Sequence, residues 1–345
     1  MPDRNRMTAL VCRQPGQLEL ESRPRPGVPG DGEVLLGISH VGICGTDYHI
    51  YAGRQPYLSY PRIMGHEISA RVLKAGKGVS LQAGSLVIVN PYVACGNCIA
   101  CRRQKPNCCM AIKVLGVHTD GAMCEEIILP ATNAYPAKDL KPEAAACVEF
   151  LAIGAHAVRR SMAPAGSLAL VIGAGPIGLG TALFSRIAGH DVTMMDMSGD
   201  RLDMAENQFG FTSRIAAGDG AAEMVRQRTS GEGFDVVFDA TGNASSMRGA
   251  LMQVAHGGVL VYVGLVKDDI SFPDPEFHKR EAMIIASRNA LKADFDHVVA
   301  SISNGAVSVD RLVTHKTSLS GAVRDLPRQA EQKTGLIKAL IEVTS

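Results

Sequence analysis

The chain has 345 residues, enough for about two domains and for a substantial buried core. Lys and Arg total 35 against 34 for Asp and Glu, and the resulting net charge of +1 predicts neither a nucleic-acid-binding nor an anionic-membrane-binding surface. No apolar run approaches the roughly 20 residues of a membrane helix, and the polar segment Met1–Arg6 predicts no signal peptide. We therefore expect a cytoplasmic globular protein.

Residues 1–150 contain short apolar runs separated by Gly, Pro and Asp. Examples are Glu33–Leu36, Ile68–Leu73 and Leu86–Val89. This pattern predicts short strands joined by irregular loops, so we expect this half to be mostly β.

Two motifs in this half combine residue types that bind zinc. They are Cys44-Gly-Thr-Asp and Gly65-His-Glu. A lone cysteine is most often a small core residue. Together, however, one thiolate, one imidazole and one carboxylate form a three-ligand set with an open fourth position, which is the arrangement of a catalytic zinc.

Five of the nine cysteines lie between residues 95 and 109. Without secretion they do not indicate disulfides. The spacing C-x2-C-x2-C, followed by two more cysteines, lets four thiolates close a tetrahedral structural zinc site. The spacing alone does not choose between Cys108 and Cys109, and reduced cysteines without a metal are the alternative.

Apolar residues at helical spacing predict one long helix over Pro142–Arg160. Glu149 is an acid within the largely apolar stretch Ala144–Leu151. Spacing alone leaves two interpretations open, a helix-capping or surface charge and a functional carboxylate.

From Ser167 onward, predicted strands alternate with predicted helices. The strands are Leu168–Ile172, Asp191–Met195, Phe234–Asp239 and Gly258–Val263, and the helices are Ile177–Ile187 and Arg201–Phe209. Such alternation indicates a parallel sheet with helices on both faces. A mixed pattern follows after about Ser287, which predicts an α/β domain inserted between two parts of a β-rich domain.

The segment Gly173-Ala-Gly-Pro-Ile-Gly matches G-x-G-x-x-G, follows a predicted strand and opens a predicted helix. In a dinucleotide site Gly173 allows the tight turn, Gly175 lets the backbone approach the pyrophosphate, and Gly178 allows close helix–strand packing. Pro176 and Ile177 complete this turn. The helix N-terminus then stabilises the phosphate charge.

Asp196 ends the second strand of this region, 18 residues after Gly178. A carboxylate at this point hydrogen-bonds the adenosine ribose and repels a 2′-phosphate, which favours NAD over NADP. Arg201 lies five residues further on and weakens that preference. A structural turn capped by the aspartate is the alternative.

These motifs together resemble the zinc-dependent medium-chain dehydrogenase/reductase family, which includes alcohol and sorbitol dehydrogenases. The resemblance covers nearly the whole chain and also includes Ala240-Thr-Gly. It implies an α/β fold with a GroES-like β-rich catalytic domain at residues 1–150 and 288–345. Residues 151–287 are then a Rossmann domain, a doubly wound parallel sheet that binds NAD.

The resemblance implies two zinc ions. The candidate ligands of the catalytic zinc are Cys44, His66, Glu67, which is exchangeable in this family, and Glu149, the acidic ligand of the polyol branch. The family's structural spacing, C-x2-C-x2-C-x7-C, selects Cys95, Cys98, Cys101 and Cys109 and leaves Cys108 out.

The resemblance also assigns residues around the reacting groups. Asp47 orients the ligand histidine, Thr46 and His49 relay a proton, and Lys338 is the C-terminal cation near the pyrophosphate. The implied reaction uses zinc as a Lewis acid on a substrate hydroxyl and transfers a hydride to the nicotinamide ring.

The segment from His278 to Asn289 resembles a bacterial sugar-acid branch of the family, of the L-galactonate 5-dehydrogenase type. Arg288 aligns with an arginine that reaches toward substrate in sorbitol dehydrogenases, and a guanidinium suits a carboxylate or several hydroxyls. Pairing of Arg288 with a structural acid is the alternative. Asn289 and His118 are further substrate candidates.

Oxidation of a secondary hydroxyl of an aldonate is therefore the first functional hypothesis, and dehydrogenation of a neutral polyol such as sorbitol or L-iditol is the second. A zinc-independent quinone reductase is disfavoured because that branch generally lacks Cys44, His66 and the four cysteines. A non-catalytic sensor that binds NAD or zinc remains an alternative, since fold alone does not fix activity. We expect a homo-oligomer, a tetramer or a dimer, acting on a small-molecule substrate.

Overall fold

The computed structural model describes residues 5–55, 58–332 and 335–343. The chain forms two compact units: unit 1 contains residues 1–149 and 299–345, and unit 2 contains residues 150–298. The first division lies one residue from the predicted boundary. The second lies eleven residues after the predicted start of the C-terminal segment at residue 288.

Unit 1 is built mainly from strands, because its apolar runs are short and are interrupted by turns. Its N-terminal strands are β1 (Arg6–Gln14), β2 (Gln17–Pro24), β3 (Glu33–Ile43), β4 (Arg62–Ile63), β5 (Glu67–Ala75), β6 (Leu86–Val89), β7 (Tyr92–Val93), β8 (Lys113–Val114), β9 (Glu126–Pro130) and β10 (Ala134–Pro136). Its N-terminal helices are α1 (Gly45–Tyr51), α2 (Ile99–Arg102) and α3 (Pro142–Ala146), followed by α4 (Val148–Ser161), which continues into unit 2.

Unit 2 alternates strands and helices. Its strands are β11 (Leu168–Ile172), β12 (Asp191–Asp196), β13 (Arg214–Ala216), β14 (Phe234–Asp239), β15 (Val254–Tyr262) and β16 (Met283–Ala286). Its helices are α5 (Pro176–Ile187), α6 (Gly199–Phe209), α7 (Ala221–Arg228), α8 (Ala244–Gly249) and α9 (Asp274–Lys279), followed by α10 (Lys292–Ser303), which returns to unit 1. The chain ends with β17 (Val313–Ser318), α11 (Ala322–Glu331) and β18 (Lys338–Glu342).

The main sheet of unit 1 has the strand order β10-β6-β5-β3-β18-β17, and β9 also pairs with β3. The C-terminal strand β18 therefore lies beside β3, antiparallel to it. On the other side of β3, strand β5 pairs with it antiparallel. Strand β3 thus joins the N-terminal and C-terminal segments of the unit.

The sheet of unit 2 has six parallel strands in the order β13-β12-β11-β14-β15-β16. This confirms the Rossmann arrangement, whose strand order reverses direction between β11 and β14. Strands β13 and β16 were not among the predicted elements, because three or four residues carry little periodicity. Among the described residues, no helix is long and apolar enough to span a membrane.

The single helix predicted over Pro142–Arg160 is wrong, since the structure has α3 and α4 there. Cys147 separates them, and its amide donates to Ala144 rather than continuing the regular four-residue pattern. Apolar spacing does not reveal this break because residues on both sides of it are buried.

The later domain boundary has a physical cause in unit 2. Asp294, at the start of α10, is buried and accepts hydrogen bonds from His156 Nδ1 at 2.8 Å and from Arg159 Nε and Nη2 at 2.7 and 2.9 Å. His156 and Arg159 lie on α4. This cluster fastens the first turns of α10 to α4, so residues 288–298 belong to unit 2.

Replacement of Asp294 by Asn tests this cluster. Burial raises the pKa of Asp294, but the hydrogen bonds from His156 and Arg159 outweigh it and hold that pKa at about 2, against an ordinary 3.8. The stabilisation is therefore complete above the ordinary pKa and is lost as the pH falls toward 2. We expect D294N to cost about 2 kcal/mol near pH 7 and to lower the thermal midpoint by several degrees.

The matched control is Asp296→Asn. Asp296 pairs with Lys292 on the same helix, but both side chains are more than half exposed. Exposed pairs contribute little, so D296N should leave the midpoint nearly unchanged. Equal shifts for the two variants, measured by calorimetry, would argue against the proposed role of the cluster.

Candidate active site

Neighbouring strands bring the first predicted metal motif together. Cys44 directly follows β3, and His66 directly precedes β5. Within this antiparallel pair Gly42 lies opposite Glu67. The ligand atoms of Cys44, His66 and Glu67 consequently lie within 4.8 Å of one another.

This cluster fits a metal ion. It offers a thiol, an imidazole and a carboxylate, a donor set that zinc accepts. The buried Nδ1 atom of His66 has no hydrogen-bond partner among the described residues, and buried polar atoms without a partner are rare in folded proteins. The side chains of His66 and Cys44 interact with each other. Burial lowers the pKa of His66, but the neighbouring Cys44 and Asp47 outweigh it and raise that pKa well above its ordinary value.

Asp47 connects the two segments of the cluster. Its fully buried carboxylate accepts from the Cys44 amide at 2.9 Å and from the Gly65 amide at 3.2 Å. One oxygen lies 4.0 Å from His66 Nδ1. Burial raises the pKa of Asp47 despite these hydrogen bonds. This position beside the histidine is the one that the sequence resemblance implied.

Glu67 is paired with a buried lysine. Lys338 Nζ on β18 donates to both carboxylate oxygens at 2.7 Å and to the Ile43 carbonyl at 3.2 Å. The carboxylate passes over Gly42, where any Cβ atom would overlap with it. The lysine was expected near a pyrophosphate, but its ammonium is buried in unit 1 and is engaged by Glu67. The spacing of the motif gave no signal for this pairing.

Glu149 is also buried, but it is not part of the three-residue cluster in the described chain. Its carboxylate accepts a hydrogen bond from the Tyr92 hydroxyl. Burial raises the pKa of Glu149 to about 7, although His66 acts in the opposite direction. Sequence reasoning missed Tyr92, because a tyrosine three residues before the first cysteine of the lobe matches no motif.

The two proton-relay candidates lie on α1. Thr46 is half-buried and His49 is exposed. They are three residues apart on the helix, and such residues are neighbours on one face. Helix α1 therefore carries both candidates on one face, in the turn that directly follows Cys44.

The second cysteine group forms a separate lobe. The sulfur atoms of Cys95, Cys98, Cys101 and Cys109 lie within 4.8 Å of one another. Backbone amides of Cys95 and Met110 donate to the sulfurs of Cys109 and Cys98, a contact that favours thiolates. Cys108 is exposed and lies outside the group within the described residues. Four sulfurs at this spacing fit a tetrahedral metal ion.

The glycine motif has the predicted placement in unit 2. Gly173 follows β11, and α5 begins at Pro176 with Gly175 as its N-cap. A Cβ atom at Gly178 would collide with the Gly173 carbonyl, so only glycine fits there. The motif lies at the carboxyl end of β11 beside the Ala240–Thr241 turn that follows β14. In doubly wound sheets this switch point is where dinucleotides bind.

Asp196 ends β12 next to this motif. Its carboxylate accepts from the Ala174 amide at 2.6 Å and from the Ser198 amide at 2.8 Å. Arg201 Nη1 lies 3.9 Å away, and the arginine is nearly half exposed. Asp196 therefore shapes the glycine turn, and Arg201 is available for a phosphate beside it.

The three substrate candidates lie in two different units. His118 is exposed in unit 1, where its Nδ1 accepts from the Val114 amide at 3.1 Å and closes a turn. Arg288 is exposed and Asn289 has a positive φ of 53°. Both lie in unit 2, between β16 and α10. Their roles toward a substrate remain predictions.

Comparison with known proteins identifies the family. Residues 30–139 match the alcohol dehydrogenase GroES-like domain, and residues 176–304 match the zinc-binding dehydrogenase domain. L-galactonate-5-dehydrogenase of Escherichia coli K12 is 40% identical over 97% of this chain and 98% of its own. The chain belongs to the zinc-type alcohol dehydrogenase family. It is an oxidoreductase of the class that acts on CH–OH groups.

Solved structures of family members agree with this assignment. An alcohol dehydrogenase from Escherichia coli CFT073 complexed with NADH has a TM-score of 0.92 and 27% identity, covering 98% of this chain and 99% of that one. A zinc-binding dehydrogenase from Sinorhizobium meliloti bound to NADP has a TM-score of 0.87 and 26% identity, with coverage of 98% and 99%. A zinc ion and a nicotinamide cofactor are thus typical of the family.

The cysteine lobe gives a test of ligand assignment. Replacement of Cys109 by Ser removes one of four sulfurs, so we expect the protein to lose about one zinc equivalent and part of its thermal stability. Cys108→Ser is the matched control, because the exposed neighbour lies outside the group. Metal analysis and thermal unfolding check both, and loss of zinc from C108S alone would mean that the assignment is inverted.

Proposed function

We propose that this protein is a zinc- and NAD-dependent dehydrogenase that oxidises a secondary hydroxyl of a sugar acid of the L-galactonate or L-gluconate type. The observation that carries the proposal is the cluster of Cys44, His66 and Glu67, in which the histidine and the glutamate are buried and the cysteine is partly buried. It occurs in a chain 40% identical to a protein named L-galactonate-5-dehydrogenase. A neutral-polyol dehydrogenase is the second candidate, since the same cluster serves either substrate.

Two zinc ions are part of the proposal. Cys44 and His66 would hold the catalytic ion, with Glu67 or Glu149 as the available carboxylate, and Cys95, Cys98, Cys101 and Cys109 would hold the structural ion. When bound, the catalytic zinc supplies Lewis acidity toward a hydroxyl, and the nicotinamide supplies the hydride acceptor. Four thiols that must stay reduced fit a cytoplasmic location.

Residues of the chain itself would position the ligands of the cluster and transfer the proton of the substrate hydroxyl. Asp47 holds the Cys44 and Gly65 amides, the backbone on either side of the cluster, and one of its oxygens lies 4.0 Å from His66 Nδ1. In the proposed relay the hydroxyl of Thr46 accepts the substrate proton while it gives up its own, and the exposed imidazole of His49 takes up the relayed proton and releases it to solvent. Tight packing keeps Asp47 and His66 away from water, which strengthens each electrostatic interaction in the site.

Substrate recognition rests on cationic and polar groups. The exposed guanidinium of Arg288 suits a carboxylate, and the neighbouring Asn289 offers an amide for hydrogen bonds to substrate hydroxyls. His118, in unit 1, is a separate candidate. An aldonate presents both a carboxylate and several hydroxyls, whereas a polyol presents only hydroxyls. We also propose that the chain forms a dimer or a tetramer, as the resemblance to the family implies.

The decisive experiment measures NADH formation by the zinc-loaded protein on a panel of substrates. L-galactonate, L-gluconate and L-idonate are compared with sorbitol, L-iditol, L-threonine and simple alcohols. We expect a clear aldonate preference. His66→Ala should reduce turnover by at least about a thousandfold, because it removes a ligand of the reacting centre, while NADH still binds as judged by its fluorescence.

The control is His256→Ala, which removes an exposed imidazole of unit 2. A polyol preference would replace the sugar-acid assignment by the second candidate. Full activity of H66A would contradict the metal mechanism. No turnover on the whole panel, with zinc and NADH bound, would contradict the sugar-acid assignment and leave either a substrate outside the panel or a non-catalytic sensor.

Asp196→Ala tests the preference for NAD. Loss of the carboxylate removes hydrogen bonds to the ribose, each worth about 1.5–3 kcal/mol when charged, and removes the repulsion of a 2′-phosphate beside Arg201. We expect the KM for NAD to rise about tenfold or more and the NAD/NADP preference to fall. Asp203→Ala, at an exposed ion pair on α6, is the control. Equal losses with both cofactors would contradict the ribose assignment.

A further inference from the structure

Besides Asp47, two buried carboxylates lie near His66: Glu67, whose ligand atom is within 4.8 Å of it, and Glu149, which interacts with it electrostatically. Each of these two has a partner of its own. Glu67 binds the ammonium of Lys338 through both oxygens. Glu149 accepts from the hydroxyl of Tyr92 and interacts with His66 and Glu67. Both carboxylates are thus buried, but Glu67 is paired with a charged ammonium and Glu149 with a neutral hydroxyl.

The two partners differ in how readily they release a carboxylate. If Glu67 moved away, the ammonium of Lys338 would remain buried without its counter-charge, which is strongly unfavourable. If Glu149 moved away, only a neutral hydroxyl would lose one hydrogen bond, a much smaller cost. Glu149 is therefore the carboxylate that exchanges partners more easily.

Tyr92 is itself fixed by the base of the cysteine lobe. Its amide donates to Asn90 Oδ1 at 3.1 Å, and its carbonyl accepts from Asn133 Nδ2 at 3.2 Å. Strand β7 pairs Tyr92 with Val114 of β8. The first cysteine of the lobe, Cys95, follows three residues later. The backbone of Tyr92 is thus fixed on three sides and its side chain is buried, so its hydroxyl offers Glu149 a constant position.

We propose that Tyr92 is a positioning residue of the metal centre, whose hydroxyl restrains Glu149 and so limits the access of this carboxylate to the metal held by Cys44 and His66. The inference rests on the proposed metal-dependent function. It gives the cysteine lobe a direct connection to the reacting centre, through a residue that the motifs do not include.

Cobalt(II) as the probe metal tests the proposal independently of activity. The absorption bands of the Cys44 site are those that disappear in Cys44→Ser. In Tyr92→Phe the released Glu149 competes for the metal, so these bands should shift. Cobalt release to EDTA should slow about tenfold, as expected when one competing hydrogen bond to a charged group is lost. Adding Glu149→Gln to Y92F should restore the wild-type bands.

The matched control is Tyr135→Phe, which removes another phenol of this region, one that accepts from Asn90. It should leave the bands and the release rate within about twofold of wild type, as expected for a site that does not touch Glu149. Unchanged bands and release in Y92F, or equal changes in both variants, would overturn the role of Tyr92. If wild-type protein shows no cobalt bands sensitive to Cys44→Ser, the proposed metal site fails, and the inference fails with it.

Discussion

The ion pair between Glu67 and Lys338 is the interaction on which unit 1 depends. It joins the strands on either side of β3, between residues 271 positions apart in the chain, and it is buried at both ends. Removing one partner of such a pair costs about 3–5 kcal/mol, because the other charge stays buried alone. The pair also requires glycine at position 42, since the carboxylate occupies the space of a side chain there. Cys44 and His66, which adjoin β3 and β5, receive their positions from this arrangement.

The two candidate metal sites differ in the number and the kind of their donor groups. The lobe gathers four sulfurs from one short segment near the surface, a closed set that stabilises a loop. The other site takes its donors, Cys44, His66 and Glu67, from two segments at the strand ends, and the buried groups Asp47, Glu149 and Lys338 lie around them. Only the second set leaves a coordination position for a reacting group. Burial raises the pKa values of Asp47 and Glu149 and lowers that of Lys338, but the neighbouring Glu67 and Cys44 outweigh burial and hold the pKa of Lys338 above its ordinary value.

In unit 2 the predicted cofactor motif depends on the parallel arrangement of the strands. Parallel strands place the glycine turn, Asp196 and the turn after β14 at one edge of the sheet. Asp196 binds the Ala174 amide, so the residue expected to contact the ribose also shapes the turn expected to contact the pyrophosphate. The cluster of Asp294, His156 and Arg159 anchors the end of this unit by joining α10 to α4.

The sequence by itself determined the features that depend on local spacing: the cysteine lobe, the glycine motif between β11 and α5, and most strands of unit 2. These follow from residues close together in the chain, whose backbone conformation and periodicity are fixed locally. Only the tertiary structure decided the break at Cys147, the membership of residues 288–298 in unit 2, the partner of Lys338, and the hydrogen bond between Tyr92 and Glu149. Each of these depends on which distant segments pack together, and a buried charge takes whatever partner that packing brings within reach.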